Sequence, residues 1–80
     1  MAGGTVARTA APMTEAARRL LAVLPAHDPR NARRLAHDAG LHPNPAERGL
    51  RELRRGGYVR QVGWNVFELT ADGREEQSKP

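Results

Sequence analysis

The chain has no cysteine, a single lysine (Lys79), three aromatic residues (Tyr58, Trp64 and Phe67) and no long apolar run. Without thiols, disulfides and thiolate metal centres are excluded, and a reducing, cytoplasmic setting is expected. No stretch approaches the roughly 20 apolar residues of a membrane helix, and none reads as a secretory leader, so no membrane partner is expected. The histidines His27, His37 and His42 stand at uneven spacings, without the i, i+4 partners a helical metal site requires. No metal and no cofactor is expected. A Ser-His-Asp set and a paired-carboxylate context are missing, and Gly56-Gly57 follows a helical segment instead of opening one, which argues against a phosphate loop. Catalysis is not expected.

What the chain has in quantity is arginine. Of its 13 basic residues 12 are Arg, against 9 acidic ones, for a net charge of +4 over 80 residues. Arginine forks onto phosphate and guanine edges, but its abundance can also follow from a GC-rich genome, so position matters more than total. From Arg30 to Arg60 eight arginines (30, 33, 34, 48, 51, 54, 55 and 60) face Asp38, Glu47 and Glu52, a net of +5. From Glu68 to Pro80, Arg74 and Lys79 face Glu68, Asp72, Glu75 and Glu76, a net of −2. One cationic binding face is predicted, with an acidic end held away from any polyanion.

The length allows one small domain. Residues 1–13 are small, Gly-rich and aperiodic and are expected to form a flexible arm. A first helix is predicted over 14–24, with Thr14 as cap and an apolar stripe of Ala17, Leu20, Leu21 and Leu24, ending at Pro25. His27 to Arg30 reads as a connector. Asn31 caps a second helix from Ala32 to Ala39, closed by Gly40 in the left-handed conformation, and Leu41 turns into the core. A third helix is predicted from Pro45 to Arg55, with Asn44 as cap and Pro45 in the first turn, leaving through Gly56 and Gly57. The period then changes to two: YVRQV and WNVFELT flank Gly63 as a hairpin with its tip near Gly63 to Asn65, and Phe67 and Leu69 face the helices. Order is expected to fade after about Arg74, with one further helical turn through Glu75 conceivable and a flexible tail over 75–80.

On a 100° wheel the third helix places Ala46, Gly49, Leu50 and Leu53 on one side and Asn44, Arg48, Arg51 and Arg55 on the other. Three helices followed by a hairpin suggest an α+β, three-helix winged helix-turn-helix with a C-terminal two-stranded β-hairpin wing, and three phrases support this. LAHDAGL at Leu35 to Leu41, LRELRRGGYV at Leu50 to Val59 and FELTADGR at Phe67 to Arg74 stand at matching separations. In these the chain resembles the winged helix-turn-helix superfamily over 14–74, and bacterial MarR and PadR regulators in particular. The resemblance implies a small bacterial transcription regulator that binds double-stranded DNA, located in the cytoplasm at the nucleoid, with the third helix as recognition helix. Those families dimerise through additional flanking helices for which this chain has no room, so their mode of dimerisation is not implied. A weak homodimer on DNA, or a protein partner, stays open.

The expected contacts follow. Arg48 suits a guanine edge, Asn44 a base or backbone hydrogen bond, and Glu47 a cytosine amino group or an ion pair with Arg51. Arg51 and Arg55 suit phosphate, as do Arg33 and Arg34 at the start of the second helix. His42, in the turn, can donate one hydrogen bond to phosphate. In the wing, Arg60 could reach backbone or minor groove, and Trp64 could stack or wedge, against the plainer expectation that it packs across the hairpin on Val62 or Val66.

Against this stands a plain solvated helix face, in which Glu47 and Glu52 offset the arginines. The chain could also be an architectural or accessory DNA-binding protein of phage or plasmid recombination or replication, or a winged protein-protein interaction module. The winged group that binds left-handed nucleic acid resembles this chain in its wing Trp. However, that group has an Asn and a Tyr four apart in the recognition helix and a Pro pair before the Trp, where this chain has Arg48 and Glu52, and Val62-Gly63.

Overall fold

The computed structural model describes residues 13–79. The expected arm thus lies outside the described residues, apart from Met13, which packs against the core. In chain order the elements are α1 (Glu15–Val23), β1 (Arg30–Asn31), α2 (Ala32–Ala39), α3 (Pro43–Arg55), β2 (Val59–Gly63), β3 (Val66–Leu69) and α4 (Ala71–Gln77). This is an α+β fold.

Local chemistry sets most boundaries as the sequence predicts. Thr14 caps α1, its hydroxyl accepting from the Ala17 N–H at 3.3 Å, and Asn31 caps α2, its side-chain oxygen accepting from the Arg33 N–H at 2.7 Å. Gly40 ends α2 at φ +68°, and the Leu41 N–H then returns to the Ala36 carbonyl at 2.9 Å. Gly57, at φ +84°, turns the chain out of α3.

The start of α3 differs from expectation. The helix opens at Pro43, with His42 as its cap residue, and Asn44 lies inside the first turn instead of capping it. Two prolines fit there because first-turn N–H groups have no helical partner to lose. The first intrahelical bond runs from the Ala46 N–H to the His42 carbonyl at 3.1 Å.

The sheet has three strands, not two, in the order β1-β3-β2, all antiparallel. Two residues of the chain between the first two helices, Arg30 and Asn31, pair with Phe67 and Val66. A strand this short has no sequence period of its own; it forms because β3 offers it an open edge. β2 and β3 make the expected hairpin around Trp64 and Asn65, with an irregularity between Gln61 and Gly63 and Asn65 in the left-handed region at φ +60°.

The expected stripes meet in one core. Ala17, Leu20, Leu21 and Leu24 of α1 and its cap pack with Leu35 and Ala36 of α2 and with Ala46, Leu50 and Leu53 of α3, closed by Val59, Phe67 and Leu69 of the hairpin. No polar or charged residue is buried among those described.

The end of the chain is also corrected. Residues expected as a tail from 75 continue α4 to Gln77, whose amide donates to the Leu21 carbonyl at 2.8 Å and the Leu24 carbonyl at 2.7 Å. These are end-of-helix carbonyls of α1, so one side chain satisfies two acceptors and ties α4 down. An added Cβ at Gly73 would lie 2.0 Å from the Tyr58 carbonyl oxygen, so only glycine admits this approach of α4 to the hairpin.

Candidate nucleic-acid interface

The buried side of α3 is Ala46, Gly49, Leu50 and Leu53, and the opposite side carries Asn44, Arg48, Arg51 and Arg55, all exposed. This division follows from the 3.6-residue period and the position of the apolar residues. His42, at the foot of the helix, is exposed and makes no side-chain capping bond.

Exposure alone does not separate a binding face from a solvated one; the arginines differ further in whether they are paired. Arg18 and Arg19 hold Glu15 at 2.7 and 3.3 Å. Arg34 holds Asp38 at 3.1 Å, with Arg30 3.7 Å from the same carboxylate. Arg54 donates to Gln61 at 2.9 Å, Arg60 to Glu68 at 2.6 Å, and Arg74 to the carbonyls of Ala26 and Leu69, each at 3.4 Å. Among the described residues, Arg33, Arg48, Arg51 and Arg55 have no side-chain partner, and all four are exposed.

The acids that could have neutralised them are engaged elsewhere or stand apart. Glu52 accepts from the N–H and the hydroxyl of Thr14, at 3.0 and 2.7 Å. Glu47 makes no ion pair with Arg51 among the described residues, so the i, i+4 pair considered from the sequence is not formed. The unpaired charge is therefore concentrated on one side of α3 and at the start of α2.

α3, the start of α2 and the hairpin border a shared groove. Its polar rim includes Arg33, Glu47, Arg51, Arg54, Gln61 and Asn65, over a floor that includes Leu50 and Phe67. Arg54 and Gln61 were not singled out from the sequence as site residues. The cationic run around Arg54 hinted at the first, but the Gln61 contact depends on how α3 meets the hairpin.

The two wing residues singled out in the sequence have different settings. Arg60 pairs with Glu68 on the sheet face opposite Gln61 and Phe67, turned from α3, so its charge is offset. Trp64 does not pack on Val62 or Val66; it is 87% exposed. Arg34 is likewise taken up by Asp38, whereas its neighbour Arg33 is not.

Among the described residues no group of three His, Asp or Glu could hold a metal ion, and no helix is long and apolar enough to cross a membrane.

No protein-family model matches the chain, and no curated protein matches it. A solved structure is similar: the crystal structure of ligand-free NadR aligns with a TM-score of 0.71 at 19% sequence identity, covering 92% of this chain and 55% of that one. The chain thus spans about half the length of that protein. With four helices, a three-stranded antiparallel sheet whose hairpin lies beside α3, and this likeness, the chain has a winged-helix fold.

Proposed function

We propose that this chain binds double-stranded DNA sequence-specifically as a small bacterial transcription regulator, with α3 in the major groove and the hairpin against the neighbouring backbone. The observation that carries the reading is the set of four exposed arginines without an internal partner, three on the outer side of α3 and Arg33 at the start of α2. Unpaired, solvated guanidinium groups on a single face suit phosphate and guanine, and their desolvation is offset only when an anion arrives. Arg48 and Asn44 lie nearest the start of α3 and would meet base edges, with Glu47 beside them for a cytosine amino group. Arg51, Arg55 and Arg33 would meet phosphate, with His42 as an additional donor at the turn.

A mobility shift with random duplex tests this. Apparent affinity should fall on a log-log plot against salt with a slope of about −3 to −4, near −0.9 for each phosphate neutralised. A triple R48A/R51A/R55A variant should lose most of the binding and flatten the slope; equal binding by that variant at every salt concentration would overturn the reading.

One observation favours a second reading, a protein-interaction module: Trp64 and Val62 are exposed at 87% and 46% on the hairpin. Such a module would bind its partner with little dependence on the α3 arginines. An architectural DNA-binding role would share the duplex contacts described above.

A further inference from the structure

Trp64 is the one tryptophan of the chain, and its indole lies in solvent at the hairpin tip, while Phe67 is buried and Tyr58 half-buried. A ring this large gains from any surface that removes it from water. The turn that carries it is braced on both sides. Arg54 donates to the Gln61 side-chain oxygen at 2.9 Å, and the Gln61 amide donates to the Gly63 carbonyl at 3.1 Å, so α3 holds the residue before the indole. The Ala32 N–H donates to the Asn65 carbonyl at 2.8 Å, so the first residue of α2 holds the residue after it. Both braces run to the helices that carry the unpaired arginines, and Asn65 itself rims the groove of Arg33, Arg51 and Arg54. The backbone that carries the indole is thus held in a set relation to the cationic helix, which lowers the ordering cost of using this turn.

We propose that Trp64 is an apolar wedge that enters a base step of the bound duplex, unstacking and bending it. The proposal rests on the duplex-binding reading above. Nucleic acid is favoured over a protein surface as the occupant because the turn that carries the ring is tied to the two helices that bear the unpaired arginines, and a polyanion with flat stacking faces satisfies both chemistries.

The full chain, W64A and W64F are titrated with a duplex carrying a donor and an acceptor dye at its ends, and indole emission and energy transfer are recorded together. Binding of the wild-type protein should quench the emission and raise the energy transfer. W64A should bind about tenfold or more weakly and leave the energy transfer at the free-duplex value, with W64F between them. Because the side chain is exposed, the melting midpoint of W64A should match that of the wild type. Unchanged indole emission at saturation, or a W64A complex bent as much as the wild type, overturns the wedge alone and leaves duplex binding standing. Absence of any duplex binding removes both.

Discussion

Glu52 of α3 accepts two hydrogen bonds from Thr14, the cap residue of α1 and 38 positions earlier: one from its N–H at 3.0 Å and one from its hydroxyl at 2.7 Å. On α3, Arg48 is four residues before Glu52 and Arg55 three after it, the two spacings at which an acid would pair with them. By turning to Thr14 instead, Glu52 ties two helices together and leaves both arginines without an offsetting charge.

E52A should therefore destabilise the fold by about 1 to 2 kcal/mol, the range for hydrogen bonds to a charged acceptor reduced for their exposure. In a domain of this size that is a fall in Tm of roughly 5 to 10 °C, measurable by circular dichroism. An unchanged Tm would show that the contact contributes nothing net.

The arginines should separate by their pairing. R48A is expected to cost about 1 to 3 kcal/mol of DNA affinity and to relax selectivity at one base pair, whereas R55A should weaken all sequences alike. R34A should matter less than R33A, because Asp38 already holds Arg34. Binding measured on a selected sequence and on random duplex checks all four, and a sequence-selective loss in R55A would contradict its assignment to phosphate.

The two buried helix glycines, Gly49 and Gly73, should respond to alanine in a set order. A Cβ at Gly73 would meet the Tyr58 backbone oxygen at 2.0 Å, which cannot give way without moving the hairpin. At Gly49 the nearest atom is the Leu20 Cδ1 at 2.6 Å, the end of a side chain, with α1 backbone at 3.3 Å. Overpacking costs about 1 to 3 kcal/mol, and in α3 a gain of roughly 1 kcal/mol from replacing helical glycine opposes it. Urea unfolding should show G73A as the more damaging of the two; the reverse order would mean that α4 can lift from the hairpin without loss.

Glu15 sets an expectation for pH. Its hydrogen bond to Arg18, with further help from the charge of Arg18 and from Arg19, holds its carboxyl below the ordinary value of 4.5. A lowered folded-state value stabilises the fold when the group is ionised. The contribution is complete above the ordinary carboxylate range and disappears as pH falls through the lowered value. Wild type should thus exceed E15Q in urea stability at neutral pH, and the two should converge as pH falls through the lowered value. A gap that persists in acid would assign the difference to something other than this carboxylate.

The sequence alone determined where α1 and α2 begin and end, which sides of the helices are buried and where the hairpin turns. Those outcomes are local: Thr14 and Asn31 cap their own helices, Gly40 takes the left-handed conformation at a helix end, and apolar spacing of 3.6 or 2 selects the inner face. The cationic side of α3 was legible for the same reason. Only the tertiary structure decided which arginines are free, because Asp38 serves two cations and Glu52 turns to a residue of another helix. The strand at Arg30 and Asn31, the seating of α4 through Gln77 and the two braces of the Trp64 turn were equally beyond the local pattern. Each joins groups of different elements, most of them far apart in the chain, and the contacts that stabilise them exist only once the packed core has brought those groups within hydrogen-bonding distance.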